Sequence, residues 1–447
     1  MCLPDNLLEA GGEAQRAMTR PISFKLMKLV RDCPPAVLPL SLMCCNFGAM
    51  WNAAATNLEA LKALQPGLAR LADVMNAMAV ALQVLFIMRC CGRSIQPRGV
   101  QALATESQTP PFLVAYSTAL MALLGVASWI YERNLLTFAI VLWVFALVVF
   151  FLLHALFLRV VVRLASSPPR NAEGGRAASP SRLRKLFTAL GPPWIVPLVG
   201  LASAAATGGG LIRASTAVPG LQRLALLTPL CVGALWALAV FPAAWAAVLS
   251  RRRLCTDPTV AILCAPPSLL LAGLLGAEPM GAEPLAHLLV LLALLSTPPV
   301  AMASMATCLL PTTPFNPAMA ACGFPMEIVT IALLRYRATL LAVRGGADEF
   351  RTLAAVIGVL AWVQLTIATL VVLAIVARFS AAAWRAAART WRMKAVPIGA
   401  QSAAAPVGGA TMSSATASDG SPPAAATVDD PLQGQQQHAA CESANRA

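Results

Sequence analysis

The stretch GPPWIVPLVG, residues 191–200, decides the fold, because four other stretches of the chain share its design. In each, a Pro-Pro or Phe-Pro pair opens an apolar run rich in small residues. The other four are CPPAVLPLSL (33–42), TPPFLVAYS (109–117), APPSLLLAG (265–273) and GFPMEIVTI (323–331). The pairs begin at residues 34, 110, 192, 266 and 324, so the steps between them are 76, 82, 74 and 58 residues. Each step is about the length of two transmembrane helices with their loops.

Proline has a specific effect on a membrane helix. At the helix start it is neutral, because the N–H that it lacks would have no partner there. Inside the helix it frees a backbone carbonyl, which is tolerated only against protein or a water-filled cavity. We therefore predict that five proline-marked helices form an inner ring around a path and that five others face lipid. The predicted kinks are at Pro39, Pro111, Pro197, Pro267 and Pro325.

The composition indicates a membrane protein. The 447 residues are 58% hydrophobic and 12% charged, and the mean hydropathy is +0.71. A soluble domain has about 25% charged residues, so a bilayer explains the deficit better than a large core. We predict an all-α polytopic membrane protein with ten transmembrane helices, arranged as five helical hairpins around a central pore. The spans lie near residues 34–55, 69–88, 111–131, 135–158, 192–211, 224–249, 259–277, 284–310, 317–334 and 352–377.

The net charge of +14 follows a topological pattern. With the N-terminus in the cytoplasm, 24 of the 33 Lys and Arg residues fall on the cytoplasmic side and 9 on the outside. This positive-inside pattern places both termini in the cytoplasm. It accounts for the basic charge without a nucleic-acid partner. We expect a multi-pass protein of the plasma membrane, surrounded by the lipid bilayer.

Four regions follow from these patterns. Residues 1–33 form a cytoplasmic lead-in, and residues 34–378 form the ten-helix transport domain. Residues 379–394, FSAAAWRAAARTWRMK, have two tryptophans seven apart with basic residues between them, which predicts an interfacial amphipathic helix. Residues 395–447 are rich in Ala, Ser, Gly, Pro and Gln, which predicts a disordered cytoplasmic tail.

Residues that would indicate an enzyme are scarce. The histidines are His154, His287 and His438, and no HExxH, Walker A or paired CxxC motif occurs. We expect His154 to be packed or interfacial. Adjacent cysteines such as Cys44 and Cys45 face different sides of a helix and make a poor metal site. We predict no enzymatic activity, no cofactor and no metal.

Glu327 is the main charged candidate within a span. A carboxylate at that depth is costly, so it is a functional candidate for proton or substrate coupling. The alternative is a structural group that is protonated or paired with Arg335, two turns further along the same face. Asp73, near the start of the second span, is predicted to be interfacial.

Small residues crowd two of the proline-marked spans, in GLASAAATGGG (200–210) and LLLAGLLG (269–276). Such helices approach one another closely. No Arg or Lys is predicted at mid-depth in any proline-marked span. An anion would therefore be attracted by backbone dipoles at kinks and by the basic cytoplasmic mouth.

Four stretches resemble the TDT family of tellurite-resistance and dicarboxylate transporters, which includes TehA, fungal malate transporters and plant slow anion channels. GPPWIVPLVG resembles the Pro-x-Trp-x-x-Pro-x-x-Gly opening of the family's fifth helix. Residues 241–276 are similar to the passage from its sixth helix into its seventh. Residues 315–333, FNPAMAACGFPMEIVTIAL, resemble its ninth helix, and residues 38–54, with a late Trp51, resemble its first. The resemblance covers roughly residues 34–378.

The resemblance implies a homotrimer whose protomers each carry a pore, formed by the five proline-kinked helices. It also implies an aromatic gate from the ninth helix. In the family a phenylalanine precedes the Phe-Pro pair by nine residues, and that position is Phe315 here. A ring across a narrow lumen blocks it by sterics and dewetting. Glu327 departs from the family, where this position is usually small or hydroxylic, and it allows proton coupling.

We expect an anion channel or transporter that passes small inorganic anions or C4-dicarboxylates such as malate. The alternative on the same scaffold is a proton-coupled exporter of organic anions, sulfite or tellurite. A ten-span metabolite exporter outside the family would usually show two five-helix halves, which the even spacing of the proline pairs disfavours. A membrane enzyme or sensor would need titratable groups clustered at one depth.

Overall fold

A computed structural model describes residues 37–96, 98–106, 109–166, 192–215, 218–251, 258–277, 283–310, 319–343 and 348–394. All regular secondary structure in these ranges is helical, which confirms the predicted fold class. Short 3-10 segments cover Glu59–Leu64, Pro192–Trp194 and Pro258–Cys264. The helices are α1 (Val37–Asn57), α2 (Gln65–Ser94), α3 (Gly99–Glu106), α4 (Pro110–Glu132), α5 (Leu136–Ser166), α6 (Ile195–Val199), α7 (Ala202–Arg213), α8 (Pro219–Arg251), α9 (Ala265–Ala277), α10 (Glu283–Leu309), α11 (Ala320–Val343) and α12 (Asp348–Lys394).

Nine helical stretches in the described ranges are long and apolar enough to cross a membrane. The ninth predicted span, α11, differs from them in charge. Any 18 consecutive residues of this 24-residue helix include Glu327, Arg335 and Arg337. Three charges on one helix need polar surroundings inside the protein. The count of ten spans and their arrangement as hairpins stay predictions.

Burial divides the helices into an inner and an outer set, as the proline pattern predicts. In four of the proline-marked spans, α1, α4, α6–α7 and α9, between 56 and 89% of an 18-residue apolar stretch is buried. In the intervening spans, α2, α5, α8, α10 and α12, only 22 to 50% of such a stretch is buried. Leucine, valine and phenylalanine side chains on the second set face outward, as lipid contact requires. Below we call α1, α4, α6–α7, α9 and α11 the inner helices and α2, α5, α8, α10 and α12 the outer helices.

The inner helices close into a ring. Helix α1 packs against α4, α4 against α7, α7 against α9, α9 against α11, and α11 against α1. Four outer helices pack on the inner helix that precedes them, α2 on α1, α5 on α4, α8 on α7 and α10 on α9. Helix α12 contacts α11 through Gln364, whose Nε2 donates to the Met326 carbonyl at 3.3 Å.

One close crossing in the ring joins α7 and α9 and depends on glycine. A Cβ added to Gly209 would lie 2.4 Å from the carbonyl oxygen of Gly276, and one added to Gly276 would lie 2.4 Å from that of Ala205. Neither position has room for a side chain. The small residues of these two spans therefore let the backbones touch, as the sequence indicates.

The five proline positions differ in their place within a helix. Pro39, Pro111 and Pro267 lie within the first three residues described for α1, α4 and α9. Pro197 precedes the break between α6 and α7, and Pro325 lies inside α11. The interfacial helix predicted for residues 379–394 is continuous with the last span, since α12 runs without interruption from Asp348 to Lys394. Its interfacial position stays a prediction.

Candidate functional site: a polar cavity and an apolar constriction

A cavity of about 280 Å³ opens inside one end of the ring. Four inner helices line it with their later residues: Cys45 to Asn57 of α1, Gly125 to Arg133 at the end of α4, Ala206 and Thr207 of α7, and Ile328 to Arg335 of α11. The start of α2 completes the wall. We call this the polar cavity, and under the predicted topology it faces the outside.

One acid in the polar cavity is already neutralised. Asp73 accepts a hydrogen bond from the indole Nε1 of Trp129 at 2.9 Å and forms an ion pair with Arg133. About a third of its side chain is exposed (36%), and its interfacial position stays a prediction.

Arg335 and Glu132 carry the remaining charges of the polar cavity. Glu132 accepts a hydrogen bond from Asn52 at 3.3 Å, and Arg335 donates one from Nη1 to the carbonyl oxygen of Ala206 at 2.7 Å. The two charges interact electrostatically, yet among the described residues neither forms an ion pair within 4.0 Å. Arg335 is half-buried and lines the cavity, so its guanidinium can bind an anion there.

Sequence reasoning considered this arginine only as a partner for Glu327, because the ninth span was expected to end at residue 334. The helix continues to Val343 and places Arg335 in the cavity wall. The signal was present in the chain, since the run LLRYRATLLAV after residue 332 keeps an apolar helical pattern around its two arginines.

Glu327 lies beside the polar cavity but is closed off from it. Its side chain is fully buried, and neither carboxylate oxygen has a hydrogen-bond partner among the described residues. The expected alternative, a pair with Arg335, is absent, because Arg335 bonds to Ala206 instead. The carboxyl group lies near the thiols of Cys44 and Cys45 on α1, and Cys45 lines the cavity. An isolated carboxylate is very costly in such surroundings.

A second space inside the ring is small and apolar. It measures about 10 Å³, which is room for about one water molecule. Four inner helices and the 3-10 segment before α9 contribute to it, with Phe324 only 6% exposed at one side. The lining residues are Met121, Ile195, Val196, Val199, Gly200, Ile262, Ala265, Pro266, Leu269 and Phe324. We call this region the constriction.

The constriction and the polar cavity are successive sections of the ring interior. On α4, Met121 of the constriction precedes Gly125 of the cavity, and on α11 Phe324 precedes Ile328. Under the predicted topology, in which alternate spans run in the same direction, the constriction lies deeper on each shared helix. An apolar narrowing of this kind blocks ions by sterics and dewetting.

The wall of the constriction contains a glycine that cannot be replaced without a clash. A Cβ on Gly200 would lie 2.5 Å from the Val196 carbonyl oxygen, 2.9 Å from the Met121 sulfur and 2.9 Å from the Phe150 ring. Gly200 therefore brings three elements together beside Phe324.

Phe315, the gate candidate from the family resemblance, lies outside the described residues. Phe324, which the sequence marks only as the first residue of the Phe-Pro pair, occupies the constriction instead. Its position beside this void could not be predicted from spacing alone, because the void is formed by residues far apart in the chain.

Across the described ranges, no three His, Cys, Asp or Glu side chains are grouped so that they could hold a metal ion. His154 is packed, as expected, with only 7% exposed.

The comparison with protein families agrees with this geometry. The SLAC1 family model, described as voltage-dependent anion channel, matches residues 38–417, most of the 447-residue chain. This match confirms the resemblance to the TDT family. No curated protein matches the chain at a significant level. A ring of helices that encloses a polar cavity and an apolar constriction is what a membrane anion pathway needs, and the chain belongs to the voltage-dependent anion channel family.

Proposed function

We propose that the protein passes small inorganic anions or C4-dicarboxylates through the ring of inner helices and that an aromatic side chain closes the path. One observation carries the proposal: the polar cavity, with Arg335 free of any ion pair among the described residues, lies about one helical turn from the constriction beside Phe324 on the shared helices. The polar cavity attracts an anion, and the constriction stops it.

Arg335 supplies the attraction. A guanidinium keeps its charge at any physiological pH and offers a fork of N–H donors to oxyanions and carboxylates. In a cavity walled by low-dielectric helices, its field is stronger than on an open surface. The amides and hydroxyls nearby, such as Asn52, Thr56 and Thr207, provide further hydrogen-bonding groups for a partly hydrated anion.

Two phenylalanines are candidates for the gate. Phe324 borders the constriction, and the family resemblance favours Phe315, nine residues earlier. With space for about one water, the constriction would have to widen before an anion could pass. Movement of an aromatic ring is the simplest way to widen it.

The test is anion flux into vesicles reconstituted with the purified protein, for wild type, Phe324→Ala and Phe315→Ala. The matched control is Phe86→Ala, because Phe86 is equally buried but packs between α1, α2 and α4, away from the constriction. We expect flux to rise at least about tenfold when the gating ring is removed, which corresponds to about 1.4 kcal/mol in the closed-to-open equilibrium. Wild-type and gate variants that pass no anion of any size would contradict the proposal.

A proton-coupled exporter is the second candidate, and Glu327 favours it. A buried carboxyl without a hydrogen-bond partner among the described residues, next to Cys45 of the cavity wall, is placed to take up and release a proton when the helices rearrange. The two candidates separate in Glu327→Gln. A coupled exporter loses flux driven by a pH gradient in this variant, whereas a passive pathway keeps its anion flux.

Assembly and topology are parts of the same proposal. We infer a homotrimer in the plasma membrane with both termini in the cytoplasm. The family resemblance supports the trimer, and the excess of Lys and Arg on one side supports the topology. Native mass spectrometry in detergent would give the subunit number. Labelling of single cysteines introduced near each terminus, in intact cells and in permeabilised cells, would give the sidedness.

A further inference from the structure

Helix α5 has one buried stripe on an otherwise exposed surface. Only 22% of its span is buried, the lowest share among the candidate spans of the described chain. Yet four of its larger side chains, spaced by seven, four and three residues, are between 0 and 7% exposed and share one helical face. They are Trp143, Phe150, His154 and Phe157.

This stripe packs along the fifth span, which consists of α6, a break, and α7. The contacts run in antiparallel order and cover the whole length of the span. The contacting pairs are Trp143 with Gly208, Phe150 with Gly200, His154 with Pro197, and Phe157 with Trp194. A Cβ added to Gly208 or Gly200 would lie within 2.9 Å of an aromatic ring of α5. In the last pair, the ring centroids of Phe157 and Trp194 are 5.0 Å apart.

His154 makes the polar contact of the stripe, and it does so at the break. In a continuous helix the N–H of Leu201 would donate to the carbonyl of Pro197. Here Ser203 N donates to Gly200 O and Ala204 N to Leu201 O, both at 3.0 Å, which are the shorter 3-10 pairings. The Pro197 carbonyl accepts a hydrogen bond from Nδ1 of His154 at 3.0 Å.

The imidazole is held from two sides. Because a carbonyl only accepts, Nδ1 of His154 carries the proton in this hydrogen bond. The ring packs edge-on against Trp236 of α8, with the centroids 5.9 Å apart and an interplanar angle of 63°. His154 thus joins α5 and α8 to the freed carbonyl of α6, and it satisfies a backbone group that would otherwise be buried without a partner.

The break between α6 and α7, at which His154 forms its hydrogen bond, also contributes to the wall of the constriction. Val196, Val199 and Gly200 line the same small void as Phe324. A change in the backbone at the break therefore changes the distance between this wall and the ring of Phe324.

We propose that His154 is a positioning residue that holds the broken fifth span in its closed form and so sets the width of the constriction. The inference rests on the proposed function, since it assigns to an outer helix the control of the same anion path. Loss of the hydrogen bond frees the Pro197 carbonyl, loosens the wall and raises the open population.

The experiment compares His154→Leu, which fills the space without a donor, with His154→Asn, whose amide N–H sits near the position of Nδ1. The matched control is His287→Leu, because His287 makes the same kind of contact with a backbone carbonyl, that of Glu283 at 2.7 Å, but is exposed on an outer helix. We expect His154→Leu to raise anion flux per folded protein about five- to tenfold, as loss of one buried hydrogen bond does for a two-state equilibrium. His154→Asn and His287→Leu should stay within about twofold of wild type.

A second measurement separates this inference from the proposed function. Hydrogen–deuterium exchange of the amides at residues 198–204 should accelerate in His154→Leu and return toward wild type in His154→Asn. If no variant passes anions but exchange follows this order, the proposed function fails and the positioning role stands. If wild type passes anions and His154→Leu changes neither flux nor exchange, or if His154→Asn behaves as His154→Leu does, the positioning role is wrong.

Discussion

The polar cavity and the constriction are built from the same inner helices but have opposite chemistry. On α11, Arg335 of the cavity and Phe324 of the constriction are eleven residues apart, about 16 Å along the helix. The cavity contains both acids and bases and many amides, whereas every residue that lines the constriction is apolar or glycine. One short segment of ring interior thus changes from a charged, hydrogen-bonding surface to an apolar one.

Under the proposed function, this contrast assigns two different tasks to two sets of residues. Attraction at the cavity affects how often an anion arrives, and it depends on ionic strength. Width at the constriction affects whether an anion passes, and it depends on packing. Substitutions in the two regions should therefore differ in their salt dependence as well as in their size.

The largest effect is expected from Gly200→Val, which attacks the constriction wall directly. The added side chain meets the Val196 carbonyl oxygen, the Met121 sulfur and the Phe150 ring, all within 3.0 Å of a Cβ. Overpacking of this kind costs about 1–3 kcal/mol or more, and here a backbone oxygen cannot move aside cheaply. We expect a strong loss of folded protein, measured as the monodisperse fraction and the thermal midpoint in detergent.

Gly220→Val is the control for this prediction. A Cβ at Gly220, near the start of α8, meets no atom within 4 Å. Valine should therefore be tolerated there. Equal loss of folded protein in both variants would mean that the close packing around Gly200 has no special importance.

The second-largest effect is expected from two substitutions in the polar cavity, which should change anion flux in opposite directions. Arg335→Gln removes the cation and should lower anion flux on the order of tenfold, the size expected for a nearby charge in a partly screened site. Glu132→Gln removes the opposing acid and should raise it by roughly twofold to threefold. Both effects should shrink when ionic strength increases, since the Debye length falls to about 3 Å at 1 M salt.

Anion flux through Phe324→Ala provides the contrast for these two variants. The increase in flux should be as large at high salt as at low salt, because it depends on the width of the constriction rather than on charge. If Arg335→Gln lowers flux equally at low and high salt, Arg335 acts through packing, and the division between an attracting region and a gating region is wrong.

The sequence predicted the architecture better than the site, for a physical reason. The proline pairs mark where inner helices begin, and this local signal was enough to separate the buried spans from the exposed ones. The hydrogen bond between His154 and Pro197 joins residues 43 apart in the chain, and it depends on how α5 lies against the break. A lone histidine in an apolar helix gives no local sign of such a partner.

The position of Arg335 is a second feature that the sequence did not predict, and here the residue is charged. An arginine after an apolar run reads as the end of a span, and only the packing of α11 against α1 and α9 places it in a cavity wall. Glu327 was found because a carboxylate in a span stands out by itself. Its lack of a partner could not be found that way, since that depends on the direction in which Arg335 points.

The smallest effect is expected at the rim of the polar cavity, in Asp73→Asn. The ion pair of Asp73 with Arg133 is 36 and 48% exposed at its two side chains, and exposed pairs contribute about 0–1 kcal/mol. Stability should therefore change little. The charge of Arg133 is no longer neutralised in this variant, so anion flux should rise by less than about twofold at low salt and return to the wild-type value at high salt. A fall in flux would mean that Asp73 holds Trp129 and Arg133 in positions that the anion path needs. Packing, not charge, would then set the rate of anion flux at the rim of the polar cavity, as it does at the constriction.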